Sequence, residues 1–138
     1  GLFSPNETIE DVSTGTLRFL LTYWHLYLAR QRQRGGDRLA QLTAQLETLS
    51  LFERRLSEYD LSLKRLPQEA MRRREVRIAW HREKQEMRQF IAQTEGASEE
   101  EMLRQHWLTR IRLAAMEACE EVEMLQADGY LLGTPANL

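Results

Sequence analysis

At 138 residues, 42% of them hydrophobic and 29% charged, the chain has the size of one domain over residues 1–138 and enough apolar side chains for a continuous core. Its net charge of −2 argues against a general nucleic-acid binder, and no apolar run approaches the roughly 20 residues that cross a bilayer. The first residues lack a signal-peptide pattern, and the lone Cys119 cannot close an internal disulfide, which fits a reducing compartment.

The chain opens on Leu2-Phe3 and then Ser4-Pro5-Asn6-Glu7, a capping box with Ser4 as N-cap, Pro5 in the first helical position and Glu7 three residues after the cap. Ser13 or Thr14 is placed to cap a helix that runs to about Arg34 and buries Leu17, Leu20, Leu21, Trp24 and Leu28. Gly35-Gly36 ends it, and Asp37 can cap the next. That second helix carries Leu39, Leu42, Leu46, Leu49, Phe52, Leu56 and Tyr59 in steps of three and four. The same seam could serve a self-associating coiled coil, but a two-residue glycine link suggests an antiparallel hairpin with the helix before it.

Residues 60–66 form a short connector, and Pro67 starts a third helix that extends to about Thr94, roughly 42 Å at 1.5 Å per residue. Gly96 breaks it. Ser98 with Glu99, Glu100 and Glu101 makes a capped, dipole-matched start for a fourth helix. Its stripe is Leu103, Trp107, Ile111, Ala114, Ala118, Val122 and Leu125, with Leu108, Ala115 and Cys119 beside it. It is expected to end near Asp128-Gly129 and leave residues 130–138 as an irregular tail. No strand-like alternation of useful length appears. The expected fold is all-α, four long helices packed as antiparallel hairpins.

The third helix carries the most distinctive pattern. Arg74, Arg77, His81, Lys84 and Arg88 recur three and four apart, which at about 100° per residue places them within roughly a quarter of the helix circumference. Val76, Trp80, Met87, Phe90 and Ile91 make an apolar stripe alongside. Residues 71–88 hold seven Arg or Lys against three Glu, whereas residues 96–129 hold three Arg against eight Asp or Glu. The positive rail can therefore meet an acidic partner, pair with the acidic last helix of its own chain, or remain a solvated face. A nucleic-acid module would lay the same arginines along phosphates.

Other chemistry is sparse. His25, His81 and His106 fall on three different helices, and none has a Cys or a second His at ligand spacing, so no metal or cofactor site is legible. There is no phosphate-cradling glycine loop and no nucleophile elbow. Cys119 sits on the apolar stripe as a small hydrophobe. The residues give no reason to expect an enzyme.

Two stretches resemble a known family. LFSPNETIEDVST followed by Leu17-Arg18-Phe19-Leu20, and Arg74-Glu75-Val76-Arg77-Ile78 followed by Arg82-Glu83-Lys84-Gln85-Glu86, are similar to the opening segment and the basic helix of the alpha-4/Tap family. These are regulatory proteins that bind catalytic subunits of type 2A protein phosphatases. Arg104-Gln105-His106-Trp107-Leu108 and Glu121-Val122-Glu123-Met124-Leu125 resemble the family's last helix. Against the family's pattern, two helices before the opening segment and a downstream tail are missing, and the linker before the basic helix is short. Trp80-His81 stands where a basic residue and an aromatic are usual.

The resemblance implies a tetratricopeptide-like helical array and a non-catalytic scaffold for the phosphatase catalytic subunit, linked to nutrient-dependent kinase signalling. It implies a cytoplasmic setting, the nucleus being a second one, and a monomer with no nucleic-acid or membrane partner. Arg74 and Arg77 match the two basic positions on which phosphatase binding depends. Lys84 and His81 continue the same face. An unrelated helical adaptor would share every periodicity given above.

Overall fold

A computed structural model describes residues 9–33, 35–63 and 68–131. They form a 3-10 turn at Ile9–Asp11 and six helices: α1 (Thr14–Leu17), α2 (Thr22–Gln31), α3 (Arg38–Glu58), α4 (Gln68–Met71), α5 (Arg74–Gln93) and α6 (Glu100–Leu131). A second 3-10 turn, Arg18–Leu21, joins α1 to α2. Among the described residues there is no strand, and no helix is long and apolar enough to cross a membrane. The expected all-α class holds. The capping box at Ser4, the helix start at Pro67 and residues 132–138 of the expected tail lie outside the described residues.

The α2–α3 hairpin follows the local chemistry. Gly35 and Gly36 both adopt φ +80, which a side chain rarely tolerates. Asp37 then takes an extended conformation and its carboxylate accepts from the Leu39 amide at 3.2 Å, capping α3 as expected. On α3, Leu42, Leu46, Leu49, Phe52 and Leu56 are all buried, followed by Tyr59. Leu39, in the first turn of α3, is exposed. Trp24 stacks on Tyr27 with ring centroids 5.5 Å apart and meets Phe52 of α3 at 6.0 Å.

Three expectations are corrected. The helix expected over residues 13–34 is broken by the 3-10 turn, where the Thr22 hydroxyl donates to the Phe19 carbonyl at 2.7 Å, and α2 stops at Gln31. The tighter winding aligns Leu17 with Leu20, so both reach full burial beside Leu21. The third helix is shorter than expected: α5 begins at Arg74, because Arg73 is extended (φ −70, ψ 135) and separates it from the single turn α4. The fourth helix runs two residues beyond Gly129, to Leu131, so the start of the expected tail is helical.

The spine is α6, which packs against α1, the second 3-10 turn, α3 and α5. Ile111, Ala114, Ala115 and Ala118 bring it into the core cluster with residues of α2 and α3. At one end Arg104 ties down the first described residues, donating to the carbonyls of Val12 and Ile9 at 2.9 and 2.8 Å. At the other end Arg38 pairs with Asp128 at 3.1 Å. The α5–α6 connection turns at Gly96, with φ +76.

Candidate partner-binding site

The basic helix α5 buries little. Its buried residues are Lys84 and Met87, while Val76, Trp80, Phe90 and Ile91 are half-buried. Its hold on α6 is correspondingly electrostatic. Lys84 donates to both carboxylate oxygens of Glu120, Arg88 pairs with Glu117 at 3.5 Å, and Glu83 accepts from Arg112 at 2.9 Å. The contacts Lys84–Glu120, Arg88–Glu117 and Thr94–His106 run α5 and α6 antiparallel, with numbers rising on one helix as they fall on the other.

The rail therefore divides. Lys84 does not belong to an exposed contact surface: its side chain is 8% exposed and it is bound to Glu120. Of the rail positions it lies nearest the apolar stripe in helical angle, so its methylene stem packs inward and only the ammonium reaches an acceptor. Arg88 is partly exposed but also engaged. Arg74, Arg77 and His81 are exposed, and among the described residues none of the three has a side-chain hydrogen bond or ion pair. Pairing with the acidic last helix accounts for the C-terminal half of the rail and leaves the N-terminal half open.

That open half sits where positive charge is least favourable. Arg73 is the N-cap and Arg74 the first helical residue of α5, with Arg77 one turn on. The amide groups of a first helical turn carry a partial positive charge, so a cation there is disfavoured by roughly 0.3–1 kcal/mol and an anion is favoured. Side-chain and backbone charge act in the same sense, and an acidic group docking on this face meets both. Two guanidinium groups one turn apart can also each fork onto a carboxylate.

His106 stands apart from the rail and was expected only as a neighbour of a core tryptophan. It is buried, whereas Trp107 is half-buried. Arg110 Nε donates to its Nε2 at 2.8 Å. Because Nε2 must then be the acceptor, the proton resides on Nδ1, which donates to Thr94 Oγ1 at 2.7 Å, and the threonine hydroxyl donates on to the Phe90 carbonyl at 2.7 Å. This chain fastens the end of α5 to α6. Burial, and after it the Arg110 charge, hold the imidazole below its usual pKa against an opposing pull from Glu95. His25 is exposed, and Cys119 is half-buried. Among the described residues no group of three or more His, Cys, Asp or Glu could hold a metal ion.

Ile78 entered the sequence reading only as part of the family-like stretch; the structure shows it 46% exposed in the midst of the open half. The signal was present in its spacing, four residues after Arg74 and three before His81.

The family model described as the TAP42-like family matches residues 1–136. An uncharacterized protein of Schizosaccharomyces pombe is 24% identical over 135 residues, an alignment that takes in 95% of this chain and 42% of that protein. The chain thus spans less than half the length of the curated relative it matches.

Proposed function

The chain belongs to the TAP42-like family, a family of phosphatase-associated regulators rather than of enzymes, and on that premise we propose that it binds the catalytic subunit of a type 2A protein phosphatase through the first two turns of α5. Arg74 and Arg77 supply the principal charges, with His81 beside them; Lys84 holds α5 in place from behind. The observation that carries this reading is the division of the rail. Lys84 and Arg88 have intramolecular acidic partners, whereas Arg74 and Arg77 have none among the described residues. The role follows as scaffolding: the protein shelters the free catalytic subunit in the cytoplasm and connects it to nutrient-dependent kinase signalling.

Charge reversal tests it. Arg74→Glu with Arg77→Asp should abolish binding to the purified catalytic subunit while circular dichroism stays helical. Surface substitutions usually move stability by about 0.5 kcal/mol or less. Here the new carboxylates match the helix dipole, so the melting temperature should hold or rise slightly. Losing a desolvated interfacial charge pair costs about 2–5 kcal/mol, at least a twentyfold loss of affinity. A folded double variant that binds with unchanged affinity would show the open rail to be a solvated face.

A further inference from the structure

We infer that Ile78 is the apolar anchor of the α5 contact surface, inserting into a nonpolar socket ringed by carboxylates on the phosphatase catalytic subunit. This rests on the reading above and adds to it a determinant that is not a charge. A single exposed isoleucine is ordinary on a protein surface; the surroundings of Ile78 are not. Nine residues from Met87, it points about 180° away from the side of α5 that is buried on α6. Its neighbours along the helix surface are Arg74 four residues before, His81 three after and Arg82 four after, with Arg77 flanking them about 100° round the helix. All four are exposed, and among the described residues none has a side-chain hydrogen bond or ion pair. Glu75, three residues before, is the one acid in the ring.

The arrangement is that of an interface centre: an apolar side chain that can be fully desolvated, enclosed by charges that remain at the rim. Charge complementarity selects the occupant. A surface with carboxylates spaced to meet Arg74, Arg77 and Arg82 must bring its nonpolar patch over Ile78, so a basic or uniformly polar surface is rejected. Among the described residues, Ile78 is not one of the side chains that pack into or against the core. It is β-branched and exposed, and alanine is the better helix former.

That last point makes the test clean. Affinity for the purified type 2A catalytic subunit is measured by calorimetry at several salt concentrations for the wild-type chain, Ile78→Val, Ile78→Ala and Arg77→Ala. At about fourfold per buried methylene, Ile78→Val should weaken binding about fourfold and Ile78→Ala by some tens of fold. Neither should change the salt dependence or lower the melting temperature. Arg77→Ala should weaken binding and flatten the salt dependence. If Ile78→Ala binds within twofold of wild type while charge reversal at Arg74 and Arg77 abolishes binding, the anchor is refuted and the binding reading stands. If the wild-type chain does not bind the catalytic subunit, both are refuted.

Discussion

The Lys84–Glu120 pair should respond very unequally to loss of its two halves. The lysine side chain is 8% exposed and the glutamate 38%. In Glu120→Gln the ammonium stays in a dry site without its counter-charge, a situation that costs about 3–5 kcal/mol. In Lys84→Met the unbranched apolar side chain refills the space of the lysine stem, and the half-exposed carboxylate turns to water, so the cost should stay near 1 kcal/mol or below. The double variant removes both charges and should return to within about 1 kcal/mol of wild type, giving a coupling of about 3–5 kcal/mol. Because α5 buries only Lys84 and Met87, the loss should fall on the α5–α6 contact before the α2–α3 hairpin. Urea unfolding followed by circular dichroism reads the global term, and amide exchange over residues 84–93 reads the local one. If Lys84→Met costs as much as Glu120→Gln, or if the two losses simply add, the buried pair is not what fixes α5 on α6.

The imidazole of His106 gives a pH dependence of definite sign. Its folded pKa lies below the unfolded value, so between the two the unfolded chain binds more protons; the stabilisation is present above about pH 6.5 and is lost as pH falls toward the folded value. Thermal melts from pH 7.5 to 5.5 should show this decline for wild type and a shallower one for His106→Gln; equal slopes would remove His106 as the cause. Gly96→Ala should cost roughly 1–2 kcal/mol through backbone strain alone, since φ is +76 and a Cβ there meets nothing within 4 Å; a melting temperature equal to wild type would contradict the strain argument.

The parts of this fold that were legible in the sequence are those where residue type and environment agree. On α3 the buried positions from Leu42 to Tyr59 are mostly apolar and repeat with the helical period, so the stripe could be read directly. The cap at Asp37 and the turns at Gly35, Gly36 and Gly96 belong to the same class, because few residues satisfy those backbone geometries. What was not legible depends on neighbours brought from elsewhere in the chain. No glycine or proline marks the break at Arg72-Arg73. The 3-10 turn at Arg18–Leu21 buries Leu20 and Leu21 where it packs on α6 and α3, neighbours that local sequence does not reveal. Lys84 and His106 are polar residues made buriable by Glu120 and by Thr94 with Arg110. Periodicity placed Lys84 on the rail, yet only the position of Glu120 decides which way its ammonium turns.

The same comparison locates the proposed contact. Along the second half of α5, local charge and tertiary environment are mutually consistent: Lys84, Arg88 and Glu83 each face an opposite charge on α6. Along the first half they conflict. Arginines occupy the N-cap and the first helical position, where the helix favours acids, and the isoleucine one turn on is turned away from the core. Each choice slightly weakens the isolated helix and benefits nothing in the described fold. Sequences that specify a fold tend to agree across levels, and a local run of disagreement marks a place shaped by something other than stability. An acidic surface with a nonpolar centre resolves every one of these conflicts at once: it supplies anions to the helix N-terminus, carboxylates to Arg74 and Arg77, and burial to Ile78. Binding should therefore raise the protection of the first turns of α5 against amide exchange more than that of any other helix. Protection gained elsewhere, with none over residues 74–81, would place the contact on a different surface.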